Sequence, residues 1–280
     1  MTNRYDRAFV ELKEKGEGAF VPFIMLSDPS PEEAIEIVSA VVDAGADAVE
    51  LGVPFTDPIA DGPTIQISHT RALDGGATVD KAIDQVRVLR EKYPDLPIGM
   101  LIYSNVPYVR GVDSFYKEFH EAGADSILLP DVPVRESKLF TDAAEKHGVN
   151  PIFIAPAQAS KETLAGVAAH SKGYIYAVSR DGVTGTETVA EPLGLADVVT
   201  EAAALGGAPV LVGFGISTPE HVAEVLDSGA TGAITGSAIT KIVNKYVEGS
   251  HPEPGRVTDM DALKAELTEY VQSMKAATKR

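Results

Sequence analysis

Three stretches of the chain resemble one another: DAGADAVELG (43–52), EAGADSILLP (121–130) and DSGATGAITG (227–236). In each, a helical pattern stops at a glycine (Gly45, Gly123, Gly229) able to take the left-handed conformation past a helix end, and a short apolar run begins two or three residues later. Gly148 and Gly173 punctuate the chain similarly. Units of roughly 25 to 40 residues result, the size of one βα repeat, and eight of them fill the length. The expected strands are Phe20–Leu26, Ala48–Leu51, Ile98–Ile102, Ser126–Leu129, Pro151–Ile154, Tyr174–Val178, Val210–Val212 and Gly232–Thr235. They are short and nearly all apolar, as parallel strands covered on both faces must be, whereas half-exposed antiparallel strands would alternate with polar residues. A closed α/β barrel takes roughly 250 residues. At 280 residues, the chain is therefore expected to form one α/β domain over 1–280, a (β/α)8 TIM barrel with additional N- and C-terminal helices.

The first crossover helix is the clearest. Ser30, Pro31 and Glu33 read as a capping box with proline in the first turn, and Ala34, Ile37, Val38 and Val41 form an i, i+3, i+4, i+7 stripe turned to the barrel. Two helices lie outside the repeat: an opening one with Tyr5, Phe9 and Leu12 on one face, and a closing one with Leu263, Leu267, Tyr270, Val271 and Met274. They are expected to cover barrel surface or its end. Gly249 to Gly255, with Pro252 and Pro254, reads as a surface hinge.

Composition narrows the function. A net charge of −17 repels nucleic-acid backbones and anionic lipid, so any phosphate must be held locally. No apolar stretch approaches the ~20 residues of a membrane span. The charged start MTNRYDRAFVELKEKGEGAF lacks the apolar centre of a secretory signal, so a cytoplasmic location is expected. The chain has no cysteine, and its six histidines lack ligand spacing. Neither a thiolate nucleophile nor a metal site is expected.

Catalytic groups of a barrel come from the C-terminal ends of strands and the loops after them. Glu50 interrupts the apolar run Ala-Val-Glu-Leu, where an ionised carboxylate is costly unless paired or shifted in pKa. A buried glutamate with raised pKa suits proton transfer near neutrality; a structural ion pair is the alternative. The following loop supplies Asp57, which reads as turn chemistry before Pro58, and Asp61. The latter either caps a helix starting near Pro63 or hangs over the barrel mouth near Glu50. Three glycine-rich loops follow the last three strands: Gly182 to Gly185, Gly213-Phe214-Gly215, and Gly236-Ser237 at a helix start. Glycines let backbone N–H groups approach an anion, and this corner of a barrel commonly holds phosphate. Phe23, Leu101, Leu128, Ile154, Tyr176, Phe214 and Ile234 bring apolar groups to the same mouth. Singly each reads as core; together they suit a flat apolar ring with a phosphorylated tail.

The segment LGVPFTDPIADGPTIQ (51–66) closely resembles the alpha subunit of tryptophan synthase. The match continues through GAFVPFIMLSDP, DVPV, SRDGVTGTE, GFGIS and GAITGSAI, covering essentially the whole chain. The resemblance implies a (β/α)8 lyase that cleaves indole-3-glycerol phosphate to indole and glyceraldehyde 3-phosphate, with no cofactor of its own. It implies a beta subunit that carries pyridoxal phosphate and consumes the indole, in an alpha2beta2 heterotetramer. Carried over by residue, Glu50 matches the proton-transfer glutamate and Asp61 the aspartate that recognises the indole N–H. Gly185, Gly215, Gly236 and Ser237 match phosphate-site positions. Phe23, Leu101, Leu128, Ile154, Tyr176, Phe214 and Ile234 match the indole pocket, and Thr184 matches a threonine of a mobile loop spanning roughly 180–192. Pro54 to Asp57 and the region around Asn105 match the partner-facing surface. Met25 and Ser27 stand where threonine and glycine are frequent in the family, the asparagine-proline order near NVPYVRG (105–111) is altered, and 155–160 lacks the frequent threonines.

Two other functions compete with this one. Another phosphate-binding barrel, an isomerase or synthase, would place lysine or histidine at strand ends. A non-catalytic barrel that activates a partner would have lost the carboxylates or the glycine loops.

Overall fold

The structure is a computed structural model that describes residues 3–157, 159–178, 195–249 and 251–280. Its first half runs α1 (Arg4–Lys15), β1 (Ala19–Met25), α2 (Pro31–Asp43), β2 (Val49–Gly52), α3 (Pro63–Asp74), α4 (Val79–Lys92), β3 (Ile98–Leu101), α5 (Asn105–Arg110), α6 (Val112–Ala122) and β4 (Ser126–Leu128). The second runs α7 (Lys138–His147), β5 (Asn150–Ile152), β6 (Ile154–Ala155), α8 (Lys161–His170), β7 (Ile175–Val178), α9 (Leu195–Ala204), β8 (Val210–Gly213), α10 (Pro219–Asp227), β9 (Gly232–Thr235) and α11 (Ser237–Tyr246). The short strands β10 (Val247–Glu248) and β11 (Arg256–Val257) and the helix α12 (Met260–Ala276) complete it.

The strands lie in the order β5-β4-β3-β2-β1-β9-β8-β7-β6, and every pairing in that sheet is parallel. Its two ends, β5 and β6, are halves of one chain segment separated only by Phe153. The sheet therefore returns on itself with eight strand positions, as a (β/α)8 barrel. The expected strands all occur with ends shifted by about one residue, within the usual uncertainty of such boundaries. The fifth is the exception: it was expected as one piece and is broken, with β5 pairing to β4 and β6 to β7.

Strand periodicity sorts the side chains into two cores. Outward residues such as Ile24, Val49, Leu51, Met100 and Val212 pack under the helices. Inward residues, among them Val21, Ala48, Leu128, Tyr174, Tyr176, Leu211 and Ile234, fill the barrel together with Tyr5 and Leu12. Helix α1 thus plugs the barrel, and Tyr5 is hydrogen-bonded to Ser126 Oγ at 2.9 Å. Helix α12 instead joins the outer core through Leu263, Leu267, Val271 and Met274.

On α2 the anticipated stripe is buried, with Ile37, Val38 and Val41 all at 0% exposure. Burial of each such side chain is worth on the order of 1.5–3 kcal/mol. Ser30 caps the helix by accepting from Glu33 N–H. Glu33 does not reach back to the Ser30 backbone as in a standard capping box; it accepts from Ser30 Oγ at 2.7 Å and from Val257 N–H at 2.7 Å. That second bond ties down an antiparallel pair, β10 against β11, which flanks the stretch expected as a hinge. The helix-stop glycines behave as anticipated: Gly45, Gly123 and Gly229 have φ of 112°, 105° and 94°.

Candidate active site

Glu50 enters the barrel because of its place in a four-residue strand. Its neighbours Val49 and Leu51 belong to the outer core, so the intervening side chain points inward. There it is 1% exposed, and no lysine or arginine pairs with it among the described residues. The structural ion pair considered for it is thereby replaced by a neutral contact: Tyr174 Oη donates to Oε1 at 2.6 Å. Oε2 has no hydrogen-bond partner among the described residues. Burial pushes the Glu50 carboxyl up from the ordinary 4.5 to about 7; the Tyr174 hydrogen bond opposes the rise and the charge of Asp61 adds to it. Near neutrality the group is poised between acid and base.

Asp61 lies in the loop after β2. It does not cap α3, whose N-cap is Gly62 without a side-chain bond. Its carboxylate turns inward, 5% exposed, and Oδ2 accepts from Tyr103 Oη at 2.7 Å and faces His69 Nε2 at 3.2 Å. Tyr103 Oη in turn accepts from Ala60 N–H at 3.0 Å. Asp57 is exposed and takes the turn role anticipated for it, its carbonyl accepting from Ile59 N–H at 2.9 Å.

Both carboxylates line one pocket at the mouth of the barrel. Its other walls are Phe23, Ile65, Leu101, Tyr176, Phe214, Gly215, Ile216, Ile234, Gly236 and Ser237, and it encloses about 450 Å³ of empty space including its open mouth. At one end α11 begins at Ser237 with Gly236 as an N-cap that makes no side-chain bond. The first N–H groups of a helix have no partner within it and attract anions. Beside them Phe214 and Gly215 both have positive φ, 66° and 75°. Gly213 has a different job from the anion contact anticipated for its loop. A Cβ there would lie 2.1 Å from Tyr176 Oη, so the missing side chain makes room for that ring.

Of the anticipated site residues, Glu50, Asp61, Phe23, Leu101, Tyr176, Phe214, Ile234, Gly215, Gly236 and Ser237 therefore meet in one place. Leu128 and Ile154 do not line this pocket. Leu128 is 1% exposed in the barrel core, and half-buried Ile154 packs against that core and borders a separate groove with Leu129 and Phe153. Thr184, Gly185 and the loop at 180–192 lie outside the described residues.

The sequence matches the family model described as "Tryptophan synthase alpha chain" over residues 9–279. The chain belongs to the tryptophan synthase alpha chain family. It is 63% identical over 278 residues to the tryptophan synthase alpha chain of Corynebacterium glutamicum, covering 99% of each chain. Against that of Vibrio vulnificus it is 49% identical over 279 residues, covering 99% of this chain and 100% of the other. Among solved structures, tryptophan synthase subunit alpha from Legionella pneumophila superposes with a TM-score of 0.85 at 29% identity, over 99% of each chain.

Among the described residues, five further ones belong to the site and were not anticipated: Ile65 and Ile216 in the lining, and Tyr174, Tyr103 and His69 behind the carboxylates. Tyr174 and Tyr176 share one strand face, so period-two counting from Tyr176 would have found the first. Tyr103 lies two residues past Leu101 and yields to the same count. No local pattern marks His69; histidine was dismissed here for lack of spacing, and its role depends on how α3 folds back against the loop. Among the places that depart from the usual family pattern, Ser27 has φ of 60°, a conformation glycine adopts freely. Gln85 holds it there, accepting from Ser27 N–H at 2.9 Å and donating to Ser27 Oγ at 2.7 Å.

Proposed function

We propose that this chain cleaves indole-3-glycerol phosphate to indole and glyceraldehyde 3-phosphate by a retro-aldol reaction, with Glu50 as proton carrier and Asp61 as the partner of the ring nitrogen. One observation carries the assignment. A buried carboxyl group with a raised pKa and no cationic partner among the described residues lines the same apolar pocket as a second carboxylate and a helix start without a side-chain cap. The apolar walls suit an indole ring, and Gly215, Gly236 and Ser237 are the candidates to hold the phosphate; by resemblance Thr184 and Gly185 join them.

Protonated Glu50 gives its proton to indole C3, and the positive charge that develops at the ring N–H is stabilised by the Asp61 carboxylate. Glu50, now ionised, takes the proton of the hydroxyl on the side-chain carbon attached to C3. The O–H electron pair becomes the aldehyde carbonyl, the carbon-carbon bond breaks, and its pair returns to the ring. Indole and glyceraldehyde 3-phosphate leave, and Glu50 is protonated again. The sequence of steps uses this chain's side chains alone.

Membership of the family implies a beta-subunit partner, which on this reading carries pyridoxal phosphate and receives the indole in a cytoplasmic alpha2beta2 assembly. Ile59, Tyr108 and Val109, exposed at 75%, 70% and 86%, flank the two segments expected to face it and support that surface. No helix among the described residues is long and apolar enough to cross a membrane.

The test is indole release from indole-3-glycerol phosphate by the isolated chain and by Glu50→Gln and Asp61→Asn. General acid-base groups contribute about 10²–10⁴-fold, so losses of at least about 100-fold are expected in each. A near-wild-type rate in either variant removes that residue from its role.

A further inference from the structure

We infer that His69 is a positioning residue for Asp61, a neutral imidazole that sets the direction of the carboxylate without touching the substrate. The inference rests on the role proposed above for Asp61. His69 is 3% exposed on α3 and does not line the pocket that holds Glu50 and Asp61. Its two ring nitrogens have neighbours of opposite demand. Nδ1 accepts from Phe55 N–H at 3.0 Å, which requires a lone pair there. Nε2 faces Asp61 Oδ2 at 3.2 Å, which requires a proton there. Both contacts specify the same tautomer, neutral with hydrogen on Nε2, and an imidazolium would turn a donor against the Phe55 N–H.

Tyr103 Oη donates to the same oxygen at 2.7 Å. A second donor on the same oxygen narrows the directions the carboxylate can take. Tyr103 from beyond β3 and His69 from α3 converge on Oδ2 and restrict it together. The arrangement is held further by packing: the Phe55 ring stacks on Tyr103 with centroids 5.3 Å apart, and the His69 ring lies 6.2 Å from that of Tyr103. A carboxylate that must meet a ring N–H as charge develops works only when its direction is already set.

The experiment compares wild type, His69→Leu, His69→Gln and Asp61→Asn as full chains, measuring steady-state indole release with melting temperatures alongside. His69→Leu removes the donor and is expected to lower kcat/KM about tenfold or more, the size of one hydrogen bond to a charged group. His69→Gln places an amide N–H near the Nε2 position and is expected to recover most of that loss. Activity of His69→Leu within about twofold of wild type, or no recovery with glutamine, overturns the inference. An Asp61→Asn variant that cleaves at the wild-type rate would instead bring down the catalytic reading itself. Should the leucine variant not fold, ¹⁵N NMR of wild-type imidazoles at neutral pH still tests the claim. The Nε2–H tautomer is expected for His69, and an Nδ1–H or doubly protonated ring refutes it.

Discussion

Glu50→Gln should make the protein's stability less dependent on pH, by an amount the burial of this residue sets. The folded-state pKa is raised from 4.5 to about 7, so between those values the native state keeps a proton that the unfolded chain has released. Stability then falls as pH rises through that window and levels off above about 7. Each pH unit of displacement corresponds to about 1.4 kcal/mol, so the interval from 4.5 to about 7 amounts to ~3 kcal/mol lost by the wild type on passing from pH 4 to pH 8.5. Glutamine cannot ionise and loses none of it. The substitution has its own cost, because an amide NH₂ replaces the unpartnered Oε2, but that cost is present at both pH values and cancels. Other buried carboxyls pushed up by desolvation, such as Asp28 and Asp47, titrate alike in both proteins and cancel too. Urea denaturation of both proteins at the two pH values gives the double difference directly. A stability gap between variant and wild type that stays constant within about 0.5 kcal/mol would show that Glu50 ionises as an ordinary exposed carboxyl, and the acid-base reasoning would fail.

Tyr174→Phe removes the one hydrogen bond that lowers the Glu50 pKa. Its stability-pH curve should level off at higher pH than the wild type's; an unchanged curve refutes the assigned contact. Gly213→Ala puts a methyl group on top of the Tyr176 hydroxyl. It should cost about 1–3 kcal/mol in urea melts and raise KM for indole-3-glycerol phosphate, whereas a neutral result would contradict the packing. Val109→Asp places a charge on a residue 86% exposed; indole release by the isolated chain should persist while co-elution with the beta subunit weakens, and undiminished co-elution would move the partner surface elsewhere.

Much of this protein can be read along the chain because the relevant physics is local. The left-handed glycines at Gly45, Gly123 and Gly229 end helices whatever surrounds them, and strands apolar on both faces belong only under two layers. Glu50 stood out for the same reason, being a charge where burial was certain. Where local pattern misled, a distant residue intervened. The fifth strand breaks at Phe153, where its halves pair with different neighbours, and β10 and β11 on either side of the expected hinge pair with each other under a bond from distant Glu33. Leu128 had the right period for the mouth and lies in the inner core, yet it is not among the residues that line the pocket.

The amino-acid order alone pointed to the barrel and to a buried Glu50 followed by a loop carboxylate, since backbone preference and hydrophobic period act over a few residues; whether Asp61 capped a helix or faced the mouth stayed open. Folding was needed to choose their companions. Tyr174 reaches Glu50 across 124 residues and Tyr103 reaches Asp61 across 42, and no short-range rule relates such positions. Yet the Tyr174 contact selects which Glu50 oxygen is satisfied, which has no hydrogen-bond partner among the described residues and how far its pKa moves. The protonation state of a buried acid is a property of everything packed around it, and only the closed barrel brings that surrounding together.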